Sequence, residues 1–226
     1  NLVHTLAPLG RAAAWNGRGD RIAAVVGNVV KIWEIPSGKL AHEFKGNGGT
    51  LRQVAWRPGA NQIAVGGYDI DSKQNTCSGE LLVWDATKDE LLLDLKWPDK
   101  GIGALAWHPQ GLSLAACWRF PRGSQDTRYF SLFDPVSGEE TGRIENIWGD
   151  RLENLAWSKS NGVMAANAPA LNKIPLDLFD MNTKKWIRAL DNGVQVAWSP
   201  EGGRLFSVVG NEKSVSLLEL WTHDTQ

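Results

Sequence analysis

Leu51-Arg52-Gln53-Val54-Ala55-Trp56, Gln62-Ile63-Ala64-Val65-Gly66-Gly67 and Glu80-Leu81-Leu82-Val83-Trp84-Asp85 are three short apolar runs separated by turns, and Glu90 to Lys96 adds a fourth. Val, Ile and aromatic residues in blocks of about six, bounded by Gly, Pro and Asn, predict β-strands. The unit then restarts along the chain. An Ala-Trp dipeptide ends a strand-like run at Trp15, Trp56, Trp107, Trp157 and Trp198, with spacings of 41, 51, 50 and 41 residues. Periods in this range with several short strands each point to propeller blades. Helical repeats of similar period are the competing reading, but the apolar residues alternate or run in short blocks rich in Val and Ile, with Gly and Pro punctuating them often.

A second marker recurs in each unit, a bulky apolar residue followed by an acid: Trp33-Glu34, Trp84-Asp85, Phe133-Asp134, Phe179-Asp180 and Leu218-Glu219. Labelling the strands of each unit a to d from the axis outward, the first unit supplies a (Arg11 to Trp15), b (Arg21 to Val26), c (Val29 to Ile35) and d (Lys39 to Phe44). The fifth supplies a (Val194 to Trp198), b (Arg204 to Val209) and c (Ser214 to Leu220), and its missing d strand is expected in Leu2 to Leu6. Pairing first strand with last closes a ring and removes an exposed edge. The expected organisation is a single domain over 1–226: 1–7 as the closing strand, then blades over 8–45, 46–97, 98–146, 147–190 and 191–226. A piece of a larger ring is the alternative that the spacing leaves open.

With these units in place, the chain resembles the WD-repeat β-propeller family over essentially its whole length. The resemblance is carried by Trp33-Glu34, by Trp84-Asp85 and by the turn Trp198-Ser199-Pro200-Glu201-Gly202-Gly203, with variants at Trp56 to Asn61 and Trp107 to Gly111. The family's Gly-His dipeptide before strand a is absent from every unit, so the hydrogen-bond network built on it is not expected here. The fold class implied is all-β: a five-bladed propeller of four-stranded antiparallel blades, its ring closed by the N-terminal strand. The resemblance implies a non-catalytic scaffold that binds protein partners, such as the sensor or targeting arm of a larger signalling protein.

Composition narrows the rest. A formal net charge of −1 gives no general attraction to nucleic acid or to an anionic membrane. No apolar run approaches the roughly 20 residues of a spanning helix. Two cysteines, Cys77 and Cys117, lie outside any Cys-x-x-Cys pair, which points away from a disulfide framework and toward a reducing compartment, the cytoplasm. His4, His42, His108 and His223 share no ligand spacing, so neither a metal nor a cofactor is expected. Among the a strands only Glu153 is acidic, so the carboxylate pair of a glycosidase is missing from the axis. With no nucleophile elbow or phosphate loop either, an enzyme is not expected.

The a–b and c–d turns are short and alike, whereas the b–c and d–a connections differ from unit to unit. Gly67 to Gly79 and Trp118 to Thr127 are the long ones, expected as neighbouring loops that form one raised surface. Variable connections on a rigid frame are where binding concentrates. The expected partner-binding face is therefore Tyr68, Asp69, Asp71, Trp97, Trp118, Arg119, Phe120, Arg122, Arg128, Trp148 and Arg151. Asp69 and Asp71 lack further oxygen ligands at calcium-loop spacing. Trp97, Trp118 and Trp148 are also the residues a carbohydrate-binding alternative would use, and a self-associating structural unit is the third reading. Trp15, Trp56, Trp107, Trp157, Trp198, Trp33 and Trp84 are expected in the core.

Overall fold

The computed structural model describes residues 11–121, 129–145, 154–160, 162–167, 176–190, 195–211 and 214–222. All regular structure among them is β, in five antiparallel sheets that follow the repeat. The first holds β1 (Ala12–Trp15), β2 (Arg21–Val26), β3 (Val29–Glu34) and β4 (Leu40–Lys45). The second holds β5 (Leu51–Trp56), β6 (Gln62–Asp71), β7 (Thr76–Asp85) and β8 (Glu90–Trp97). The third has β9 (Gly101–Trp107), β10 (Leu114–Arg119), β11 (Phe130–Phe133) and β12 (Glu140–Ile144). The fourth has β13 (Asn154–Trp157), β14 (Val163–Asn167), β15 (Leu176–Asp180) and β16 (Lys185–Leu190). The fifth has three strands, β17 (Gln195–Trp198), β18 (Arg204–Asn211) and β19 (Ser214–Thr222). Each sheet is a meander in sequence order, the simplest pairing for strands joined by tight turns. Leu2 to Leu6, the expected closing strand, lies outside the described residues, as do His4, His223 and Glu153.

Four apolar clusters lie between consecutive sheets. Ala23, Val25 and Ile32 meet Leu51, Trp56 and Leu82; Leu81 and Val83 meet Ile102, Trp107 and Leu114. Phe130 packs edge-on to Phe179, and Leu178 lies against Leu205. Strands buried on both faces read as continuous apolar runs, which is why Leu81–Trp84 and Leu114–Trp118 show no polar alternation.

The structure gives each sequence marker a physical task. The indole of Trp56 donates to the Ala14 carbonyl at 3.0 Å, that of Trp107 to Ala55 at 3.0 Å, and that of Trp198 to Ala156 at 2.9 Å. The Trp of one Ala-Trp pair thus bonds the Ala of the preceding pair and ties neighbouring sheets together. The second marker ends strand c with a carboxylate that folds over the next turn. Asp85 accepts the N–H groups of Thr87 and Lys88, Asp134 those of Val136 and Ser137, and Asp180 those of Asn182 and Thr183. An Asp that hydrogen-bonds the backbone two residues on closes such a turn without a neighbouring element. These bonds hold Asp85 and Asp134 below the usual carboxylate range; for Asp85 the largest cause is the hydroxyl of Thr87.

Two expectations are corrected. Trp15 is not in the core: it is 55% exposed, against 7% and 6% for Trp56 and Trp107. Its ring stands on the face of the first sheet turned away from the second sheet, while Ala12 and Ala14 face inward. Gly67 to Gly79 is not a loop either. β6 and β7 continue through it as a paired ribbon, with Tyr68 opposite Gly79, Ile70 opposite Cys77 and Asp71 opposite Thr76. Its Gly, Asp, Ser and Asn content reads as loop, but backbone pairing with an adjacent strand overrides propensity.

Candidate functional site

The strands fix which residues meet on the face that carries the b–c and d–a connections. Each a strand starts there and each b strand ends there. One cavity of about 600 Å3 opens on this face, and all five a strands contribute to it: Ala12 and Ala13, Arg52 and Gln53, Gly103, Asn154 and Gln195. Arg11, Tyr68 and Arg119 complete its lining. Consecutive a strands, β1 to β5, β5 to β9, β9 to β13 and β13 to β17, are in contact along it.

Tyr68 is the fixed point of the site. The Arg52 guanidinium lies 4.0 Å from its ring centroid and that of Arg119 5.8 Å. Arg52 is held further by donating from Nε to the Tyr68 carbonyl at 3.0 Å. Gln53 donates to the Gly103 carbonyl at 2.9 Å. Guanidinium groups packed on an aromatic face are pre-positioned, so less rotamer freedom is lost when they bind. Asp69, one residue on, turns both carboxylate oxygens to the Thr50 amide at 3.2 Å.

The paired ribbon stands beyond this mouth. Asp71 caps its tip by accepting the N–H groups of Lys73 and Gln74, and Asn75 has φ of +52° in that turn. Asp69 and Asp71 therefore serve two separate backbone tasks. Ile70 is exposed on the ribbon. Cys77, one pair from the tip, approaches the Arg119 carbonyl at 3.4 Å, so the second sheet's ribbon touches the third sheet. Both cysteines are free and buried. Burial pushes the thiols up, and for Cys77 the nearby Arg119 and Arg52 partly offset it.

Trp118 and Phe120 are corrected as partner contacts, because they are 2% and 8% exposed. Trp118 donates to Ser131 Oγ at 2.8 Å, meets Trp97 edge-on at 4.7 Å, and lies under Lys100 Nζ at 4.1 Å. Its place at the strand end suggested a loop anchor; the adjacent sheet covers it instead. Trp97 is half-buried in the same cluster. Arg122, Arg128, Trp148 and Arg151 lie outside the described residues.

A second, smaller pocket of about 290 Å3 lies beside the first, between Tyr68, Glu80, Lys96, Trp97 and the Asn47–Gly49 segment. Glu80 Oε2 accepts from the Asn47 amide at 3.1 Å, and burial pushes this carboxyl up. Sequence reasoning missed Glu80 and Arg52, which sit inside strand patterns where a single charge reads as a solvent-facing position. Among the described residues no group of three His, Cys, Asp or Glu side chains is placed to hold a metal ion, and no helix is long and apolar enough to cross a membrane.

No protein-family model matches the chain. Among curated proteins it is 21% identical, over 88% of its length, to meiotic fizzy-related protein 1 of Schizosaccharomyces pombe, covering 54% of that protein. It is 24% identical, over 88% of its length, to protein FIZZY-RELATED 3 of Arabidopsis thaliana, covering 39% of it. A segment of 46% of the chain is 23% identical to the transcriptional corepressor LEUNIG_HOMOLOG of Arabidopsis thaliana, covering 13% of it. The chain spans about half, or less, of the length of these relatives. All three relatives are WD-repeat proteins.

Proposed function

We propose that the chain is a WD-repeat protein-interaction scaffold without catalytic chemistry of its own, a reading supported by its similarity, at 21% and 24% identity, to two fizzy-related proteins. The observation that carries this reading is the contrast between its two faces. Three c–d turns repeat one design, with Asp85, Asp134 and Asp180 folded over their own backbones, and the a–b turns are short. The opposite face carries the projecting ribbon with exposed Ile70 and the Tyr68 cluster at the cavity mouth. Aromatic and Arg side chains held in place on a rigid frame are the anchors that carry most of the energy of protein recognition. Tyr68, Asp69, Asp71, Trp97 and Arg119 are the described residues we assign to this face, with Arg122, Arg128, Trp148 and Arg151 as its sequence-based extension.

The same reading includes a closed ring of five blades over 1–226, with Leu2 to Leu6 completing the last one. One observation supports it: all five a strands line one cavity. One relative is described as a transcriptional corepressor. A sensor or targeting role within a cytoplasmic regulatory assembly is the corresponding proposal for this chain.

The test is affinity capture with the intact chain against a variant whose ribbon is cut back between Gly67 and Gly79 to a tight turn. Proteins retained by the intact chain and lost by the variant support the face. Capture unchanged by the deletion would sink the assignment.

A further inference from the structure

Resting on that reading and deepening it, we infer that the cavity shared by the five a strands is an oxyanion site. It takes a carboxylate or phosphate group carried on an extended segment of the protein partner. Three guanidinium groups, from Arg11, Arg52 and Arg119, line it, and no acidic side chain among the described residues does. Four cations on the described surface pair with acids, Lys31 with Glu43, Lys88 with Asp85, Lys96 with Asp94 and Arg143 with Glu140. Among the described residues, none of the three cavity arginines has an ion-pair partner within 4.0 Å. Arg119 Nε is shielded from solvent and meets no acceptor among those residues. Asp69, next to Tyr68, is spent on the Thr50 amide, and Glu153, next to Asn154, lies outside the described residues.

The consequence is electrostatic and geometric. The chain as a whole carries a net charge of −1, so attraction for an anion rests on the three cavity arginines and not on the protein's overall charge. A cleft lined by one sign of charge focuses the field and draws in the opposite ion. Planar guanidinium forks match carboxylate and phosphate oxygens two at a time. Tyr68 holds two of the three forks before any ligand arrives. The volume, about 600 Å3, is much more than one inorganic anion fills and suits several side chains of an extended peptide.

The experiment uses the full chain and a fluorescent hexaglutamate peptide, with hexaglutamine as the uncharged counterpart, read by anisotropy at about 0.05 M and about 0.5 M salt. Hexaglutamate should bind and hexaglutamine should not, and binding should weaken at high salt. Arg52→Gln and Arg119→Gln should each weaken it about tenfold. Arg52→Lys, which keeps the charge but not the fork, should fall between. Arg11→Gln changes an exposed side chain that contributes no core packing, and it keeps the test valid if the other variants fail to fold. Equal binding of the two peptides, or unchanged binding by all the Gln variants, overturns the inference. Displacement of the peptide by inorganic phosphate at comparable concentration overturns the assignment to a partner segment in favour of a free anion; failure to displace supports it. A ribbon-dependent capture with no hexaglutamate binding refutes the oxyanion site alone, whereas ribbon-independent capture refutes the scaffold reading itself.

Discussion

Replacing Trp107 by Phe probes the contact that joins one sheet to the next. Trp107 is 6% exposed, and its indole N–H donates to the Ala55 carbonyl of the neighbouring sheet at 3.0 Å. Phe keeps the aromatic face under Arg57, whose guanidinium carbon lies 5.4 Å from the ring centroid, but it loses the donor. A lost hydrogen bond of this kind costs about 1 kcal/mol net. The space left by the smaller ring adds about 1 kcal/mol at roughly 24 cal/mol per Å3 of residual cavity. The sum is about 2 kcal/mol. Trp15→Phe makes the same chemical change at the same position of the repeat. At 55% exposure it should stay within about 0.5 kcal/mol, as surface substitutions do. Urea unfolding followed by tryptophan fluorescence gives both numbers from the shift in midpoint at constant slope. Equal losses for the two variants would refute the argument, because they would place Trp15 in a sealed inter-sheet contact like its counterparts. No loss for Trp107→Phe would refute the cross-sheet bond itself.

Other expectations follow from the same geometry. Asp85→Ala should cost about 1 kcal/mol near neutral pH by freeing the Thr87 and Lys88 amides. Because Asp85 is held below its ordinary range, its contribution is present above the unfolded carboxylate pKa and lost as pH falls through the folded value, so the gap between wild type and variant in thermal melts should close in acid. Glu80 has the opposite sign. Burial raises its folded pKa, so its stabilising protonated form is lost as pH rises through that value; Glu80→Gln should gain stability relative to wild type between mildly acidic and neutral pH, and a pH-independent difference would contradict this. Gly79→Ala places a Cβ against the backbone of Gly101 and of Lys100, which cannot move as a side chain could. It should lower the thermal midpoint, at a cost of about 1–3 kcal/mol, and an unchanged midpoint would mean the two sheets do not approach there.

Much of the architecture was legible because strand periodicity and turn chemistry are local. The expected strand b of the first unit, Arg21 to Val26, is β2 residue for residue, and Ser214 opens the last described strand as expected. The Ala-Trp and aromatic-acid markers could be found from spacing alone, since each blade repeats the same short-range instructions. The site was less legible. Trp118, Phe120 and Trp15 are one residue type or close to it, at strand ends, and nothing in their flanking sequence states whether a neighbouring sheet covers them. The 67–79 segment has loop composition, and only its cross-strand pairing makes it a ribbon.

The amino-acid order by itself set the strand order within the described sheets and the carboxylates that fold over the turns after Asp85, Asp134 and Asp180, because these depend on residues within a few positions of one another. The tertiary structure decided what depends on distance in space. It determined that a Trp finds the carbonyl of an Ala 42 or 52 residues back. It also set Arg11, Arg52 and Arg119, from three different sheets, around one concavity with Tyr68 between two of them. Charges so far apart in sequence carry no mutual signal until the sheets stack, and only then does an unremarkable strand arginine become part of a site.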